Sequence, residues 1–368
     1  MRPFAAAAMS ATACAALGLA LLGLLLPAAP VAARQHPDTL HASPPDTAGA
    51  FRIYTGRGRR VTLDGLVAAA SGVDVVFIGE SHNDRVGHRV QLAIFELLAG
   101  IPPRAEGDSA GSSTHAHGDS PAIPPRAQGD PVGPAAEGAP ANHVVVSLEM
   151  FERDVQYIVD EYLKGLISKD QFTRNTRPWA WYEQDYAPVV EAAKAAGLPV
   201  IAANAPRRYV NLVGRSGPEA LAGLSDEARR FLPPLPYEGP SPKYRAELIE
   251  VMGGHDNGGG TQDSTGRENG FFAQSLWDAT MAHSIAQTLM DRPGSRIVHL
   301  VGSFHVKNGT GIPEQLERYR PGTRRLIVYV EPVDDVNNFP DELSGAGDFV
   351  ILTDKTTVRA DQRTGSSG

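Results

Sequence analysis

The chain has 368 residues, a net charge of −8 and a pI near 5.8, with 42% hydrophobic residues. That length allows one large domain or two medium ones, and the acidic balance argues against a nucleic-acid binder, which shows a basic face. Low aromatic content (7%) beside 38 Gly and 29 Pro points to long, loosely structured inserts within a folded frame.

The first stretch, residues 1–33, reads as an export signal: Arg2, a long Ala/Leu-rich apolar run, then small residues up to Ala33. Export would place the protein in the periplasm or at the cell envelope. An uncleaved signal anchor, with membrane association through it, is the alternative. Cys14 is the single cysteine, and Ala11 holds the place where a lipoprotein site wants Leu. The mature chain is therefore expected to lack disulfides and thiolate ligands. Residues 34–50 are polar and Pro-rich and read as a tether.

A single α/β domain is expected over 51–355. "DVVFIG" (74–79) is a short, fully apolar, β-branched run, the pattern of a strand buried on both faces. The next segment has apolar residues at Val86, Val90, Ala93, Ile94, Leu97 and Leu98, which is helical spacing, with Asn83 or Asp84 as N-cap. Residues 102–142 break the pattern. "IPPRAEGD" recurs there as "IPPRAQGD", and His115 and His117 lie in solvated, disorder-prone sequence.

"HVVVSLEMF" (143–151) resumes the frame as a buried strand, followed by a helix over 152–168. A helix from Tyr182 to Gly197, a strand over 198–206 and helices at 219–232 and 241–252 come next. A second insert is expected at 253–269. A long helix (271–291), two strands ("RIVHLVG" and "RRLIVYVEP"), a last strand near "DFVILTD" and a flexible tail (356–368) complete the chain. This alternation predicts a mainly parallel central sheet flanked by helices, with a small helical cap over 206–252 and two disordered inserts.

In such sheets ligands bind beyond the carboxyl ends of the strands. Four predicted strands end there in polar groups: Glu80 and His82, Glu149, Asn204 followed by Arg207 and Arg208, and His305. Gly79 and Gly302 precede the two histidines and would let the backbone turn sharply and approach a ligand closely. Glu80, His82, Glu149 and His305 suit a divalent metal such as Zn or Mn. They suit metal-free acid–base work equally well, since a carboxylate can orient a histidine. Spacing alone does not separate the two.

The blocks "FIGESHNDRVGHRVQLAIFELL", "VVVSLEMFERDVQYIVDEYL", "WAWYEQDYAPVVEAAKAAGLPVIAANAPRRYVNLVGRSG" and "IVHLVGSFHVKNGTGIPEQLERYRPG" together resemble the ChaN-like haem-binding uptake family of the Tiki superfamily. That superfamily also takes in Tiki proteases and erythromycin esterase-like enzymes. The resemblance covers roughly residues 60–335 outside the inserts. It implies an exported haem-binding, iron-uptake protein. It also implies, through the Tiki branch, a metal-dependent hydrolase whose Gly-x-x-His elements match Gly79–His82 and Gly302–His305, with Glu80 and Glu149 as the acids. The chain departs from the family's lipoproteins in lacking a lipobox.

For haem, Tyr and His are the usual axial ligands. Tyr182, Tyr186 and Tyr209 lie in the matching blocks, and Tyr209 closely follows a strand end. Arg207 and Arg208 at a helix start would receive propionates. Trp179, Trp181 and Tyr182 would wall an apolar pocket; packing is the plain alternative for all three. Three readings result: a haem binder, with a homodimer enclosing the ligand as one arrangement; a hydrolase using His82 and His305; and an exported scaffold with a vestigial site.

Overall fold

The computed structural model describes residues 49–102, 143–253 and 264–358. The expected signal peptide, His115, His117 and most of both expected inserts lie outside these residues.

Among the described residues one eight-stranded sheet runs through the fold. Its strands are β1 (Phe51–Thr55), β2 (Arg60–Val61), β3 (Val75–Glu80), β4 (Val144–Glu152), β5 (Val200–Asn204), β6 (Arg296–Gly302), β7 (Arg325–Val333) and β8 (Phe349–Asp354). The order is β2-β1-β8-β7-β3-β6-β4-β5, and every neighbouring pair from β8 to β5 is parallel. Only the β1–β2 hairpin, not read as strand from the sequence, adds antiparallel pairs at one edge.

The helices are α1 (Leu63–Ala70), α2 (Arg85–Leu98), α3 (Gln156–Leu163), α4 (Lys169–Thr176), α5 (Tyr182–Asp185), α6 (Ala187–Ala195), α7 (Arg207–Ser216), α8 (Asp226–Arg229), α9 (Pro242–Gly253), α10 (Ser264–Asp291) and α11 (Ile312–Tyr319).

Strand alternation decides which helices each face meets. Val76 and Ile78 of β3, Val146 and Leu148 of β4, and Val298 and Leu300 of β6 pack with Val90, Ile94 and Val190 from α2 and α6. Val75, Phe77, Val145, Ile297 and Val301 face the other way, onto Met281 and Ile285 of α10 and Ile312 of α11. Val75, Val76, Phe77 and Ile78 are all fully buried. Each such side chain contributes about 1.5–3 kcal/mol, which explains the unbroken apolar run.

The helical cap is a layer on α10. Tyr209, Val210 and Val213 of α7 cluster with Leu221, Leu232 and Tyr237 against Ala273, Leu276 and Ala279. The expected helix at 219–232 is instead a 3-10 stretch, Pro218–Gly223, and the single turn α8, which Ser225 caps by accepting from the Ala228 amide. The helix expected over 152–168 is shorter, because Glu152 still belongs to β4.

Two expected segments reach into described structure. Residues 264–269, expected within the second insert, open α10, and Glu268 there takes two 2.6 Å bonds from Arg245 of α9. Thr356 and Thr357, expected in the tail, belong to the 3-10 turn Lys355–Thr357, and Val358 after it bridges back to Asp84.

The outer strand β5 is closed along its open edge. The Gln156 amide donates to the Val200 carbonyl (2.9 Å) and accepts from the Ala202 amide (2.7 Å), standing in for a neighbouring strand. Ser284 of α10 adds a bond to the Ala203 carbonyl (3.0 Å).

Asp84 is the N-cap of α2. Fully buried, it accepts from the Val86 and Gly87 amides at 3.0 Å each and from the Thr353 hydroxyl of β8 at 2.6 Å. Asp84→Ala would strand three donors and is expected to lower the unfolding free energy by about 2 kcal/mol or more, read by urea denaturation.

Candidate functional site: a carboxylate–histidine rim

Register builds the rim. β3 pairs with β6 so that Glu80 lies beside Gly302, and β4 pairs with β6 so that Leu148 lies beside Leu300. These three central strands therefore bring Glu80, Gly302 and Glu149 level, at the ends of β3 and β6 and where β4 leaves its pairing with β6 before running on to Glu152. Gly79 packs tightly beneath: a Cβ there would come within 2.8 Å of Val306 and 2.9 Å of the Ser303 backbone. The close approach expected of Gly79 is thus to the turn that carries His305.

The parity of the strands aims Glu80 and Glu149 at opposite faces, so the rim has two halves. In the first, buried Glu80 accepts from His82 Nδ1 (2.9 Å), the Gln91 amide (2.6 Å) and the Tyr186 hydroxyl (2.6 Å), with His88 Nδ1 at 3.2 Å. Burial alone would raise the Glu80 pKa, but His88 and His82 outweigh it and hold the carboxyl well below its usual range. Burial likewise opposes the charge on His88, yet Glu80 and Asp185 raise it to about 9.

In the second half, His305 Nδ1 sits 2.5 Å from Asp278 Oδ1, and its Nε2 lies 3.5 Å from Glu149 Oε1. Glu149 Oε2 accepts the Gly302 amide at 2.6 Å. Burial pulls the His305 imidazole down, but Asp278 and Glu149 together lift it to about 10. Burial pushes Glu149 up, while His305, His82 and the Gly302 amide more than offset this.

His82 joins the halves across Gly302. A Cβ on Gly302 would stand 3.0 Å from His82 Cε1, 3.1 Å from His82 Nε2 and 3.5 Å from Glu149 Oε2. The His82 side chain is 48% exposed, its ring edge-on to Trp179 at 4.9 Å. Burial lowers its pKa and nearby His305 opposes its charge, but Glu80 and Glu149 raise it overall.

The structure thus brings Glu80, His82, Glu149 and His305 together at one edge. Arg207 stacks over Trp277 at 5.2 Å, and Trp277 in turn lies edge-on to His305 at 6.4 Å. Arg208 pairs with Asp154 at 2.6 Å and covers the Tyr209 ring. Tyr209 is 9% exposed within the cap cluster. Asn204 ends β5, its amide oxygen taken by the Ala205 amide at 2.8 Å. Tyr182 lies apart in the main core against Phe151 and Phe172, its buried hydroxyl without a partner among the described residues.

The four rim residues do not assemble as metal ligands. Among the described residues no group of three or more His, Cys, Asp or Glu is placed to hold a metal ion. Apart from His82 Nε2 these groups are mainly engaged with one another, and the two glutamates face opposite sides of the sheet.

Sequence reading did not single out Asp278, Gln274, His88 or Gln91. Gln274 and Asp278 are i, i+4 on α10, and His88 and Gln91 are i, i+3 on α2. Polar residues at that spacing on a helix face that meets a strand end were the available signal. Beside the second half, a cavity of about 530 Å³ lies between α7, α9 and α10, lined by Val210, Leu248, Ala273, Gln274, Trp277 and Phe304. Mostly apolar walls with a few polar groups are the usual make-up of a ligand pocket.

The haem group fits this donor set in one respect that the structure shows directly. His82 Nδ1 is held by Glu80, while Nε2 has no hydrogen-bond partner among the described residues, on a half-exposed ring. An imidazole oriented by a carboxylate, with its second nitrogen open, is an iron-binding arrangement.

Fold and rim together define a doubly covered parallel α/β protein with a carboxylate–histidine site at the carboxyl ends of its central strands. The sequence pattern of the haem-binding uptake family (Tiki superfamily, ChaN) matches residues 128–316, and the chain belongs to this family. Among solved structures it is similar to ChaN of Campylobacter jejuni, described as binding haem cofacially: 15% identity over 82% of this chain and 96% of that one, TM-score 0.56. Fainter likenesses are to a type III effector (10% identity, 79% and 93% covered, TM-score 0.39) and an erythromycin esterase (12%, 83% and 83%, 0.38). Neither bears on function. No curated protein matches the chain significantly.

The charge on His305 is favoured by folding, since its pKa rises from 6.5 to about 10. Its contribution to stability is complete below about pH 6.5 and is lost as pH rises through about 10. The stability gap between wild type and His305→Gln is therefore expected to narrow over that range in urea titrations. A gap that widened would contradict the imidazolium assignment.

Proposed function

We propose that the protein is an exported haem-binding protein serving iron uptake, and that it receives haem at the His82 side of the rim. Membership of the family supports the ligand, and the leader-like residues 1–33 support export. The observation that carries the site is the His82–Glu80 pair. Nδ1 is fixed at 2.9 Å from a buried carboxylate, so the ring presents Nε2 outward beside Trp179. Haem iron accepts such a nitrogen as an axial ligand.

Arg207 is the cation suited to a propionate. It stacks on Trp277 and forms no ion pair with a carboxylate among the described residues, whereas Arg208 is engaged by Asp154. Tyr209 and Tyr182 are too enclosed to serve as ligands without rearrangement of their clusters. A homodimer that sandwiches haem between two copies belongs to this reading, since the ChaN of Campylobacter jejuni binds haem cofacially.

A second reading, hydrolysis, is favoured by one observation: the Asp278–His305–Glu149 array beside His82 supplies a buried imidazolium next to a carboxylate-oriented base. In this version His82, held by Glu80, would deprotonate water.

Hemin titration of protein lacking residues 1–33 tests the proposal. A saturable Soret shift is expected, lost or weakened at least tenfold in His82→Ala and weakened several-fold in Arg207→Ala. A Soret response unchanged in His82→Ala would sink the assignment of the site. Ester hydrolysis falling by about 10²-fold in the same His82→Ala variant would favour the second reading.

A further inference from the structure

Among the described residues Arg153 is a cation without a counter-charge. It follows β4 on the 3-10 turn Arg153–Val155 and reaches into a cleft of about 720 Å³ between α3, the edge of β5 and α10. Its Nη1 donates to the Leu232 carbonyl and to His283 Nδ1, each at 3.3 Å, and its Nη2 donates to Gln287 Oε1 at 2.8 Å. All three partners are neutral: burial, reinforced by Arg153 itself, pushes His283 down to about 4. Among the described residues no carboxylate pairs with Arg153, whereas Arg177, Arg208, Arg245, Arg318 and Arg324 each hold one. Burial pulls its own basicity down to about 10. A guanidinium withdrawn from water is costly unless an anion answers it.

The rest of the cleft fits an anion. Arg230 and Arg292 line it with Arg153, against two carboxylates, Asp160 and Asp291. Asp160 is already engaged by the Gln156 amide at 2.9 Å. The Ser284 and Thr288 hydroxyls donate to backbone carbonyls. That leaves guanidinium groups and the Gln287 amide as the available donors. None of the rim residues lines this cleft.

We infer that the cleft binds a phosphate group carried by a small soluble molecule, with Arg153 as the central donor and Arg230 and Arg292 at its mouth. Three guanidinium groups match the charge and several oxygens of a phosphate better than those of a single carboxylate. The site is separate from the haem reading and stands or falls without it.

Isothermal titration of the protein with inorganic phosphate, beside acetate at equal ionic strength, tests the inference. Saturable phosphate binding that acetate does not reproduce is expected, weakened at least tenfold in Arg153→Met. Arg230→Ala and Arg292→Ala alter exposed residues and are expected to weaken phosphate several-fold while leaving the hemin titration unchanged. They decide the matter if Arg153→Met does not fold. Arg57→Ala, an exposed arginine lining a different cavity, should keep wild-type affinity. Absence of phosphate binding, equal binding of acetate, wild-type affinity in the Arg230/Arg292 double variant, or an equal loss in Arg57→Ala would each overturn it.

Discussion

The missing side chain of Gly302 is the constraint on which the rim depends. Parallel register sets Glu80 and Glu149 one strand to either side of it, and alternation sends the two carboxylates to opposite faces. A Cβ at that position would stand 3.0 Å from the His82 ring that lies across the strand end and 3.5 Å from Glu149, so the ring would have to give by a few tenths of an ångström. Two separately satisfied half-sites thereby become one electrostatic unit. The unit is dense in charge yet buried: Glu80, Glu149, Asp278, His88 and His305 are each less than a tenth exposed. Such a cluster persists only because every carboxylate faces an imidazolium or an amide.

That mutual satisfaction explains why a set that looks like a metal site does not act as one in its geometry. Four residues of two types suited to zinc meet at one edge, but most of their lone pairs are engaged within the cluster. Among the described residues His82 Nε2 is left open on a half-exposed ring, while the other atom of the cluster without a partner, Asp278 Oδ2, is buried. On the proposed reading, that open nitrogen on an oriented ring suits a ligand that brings its own coordination sphere, as a porphyrin does.

The central strands were legible because burial on both faces writes an unbroken apolar run, and "VVFIG" carries that signature without help from neighbours. The rim residues were legible because a parallel sheet gathers its strand ends. Asp278, Gln274, His88 and Gln91 were not, because each looks like an ordinary polar residue of a helix until the strand end it meets is known. The β1–β2 hairpin was missed for a related reason: β2 is two residues long, and its position depends on pairing with β1. Tyr182 misled because an aromatic beside two tryptophans reads alike as a pocket wall or as core, and packing against Phe151 and Phe172 decided for the core.

The side chain of Gln156 has a consequence for how copies of the protein can meet. With the Val200 carbonyl and Ala202 amide already occupied, the β5 border offers no template for an incoming strand, and the opposite border is only the two-residue β2. Both margins are thus poor templates for strand-to-strand pairing among the described residues. Among the described residues, helices and loops are the surfaces better suited to assembly, and the open end of the rim lies among them.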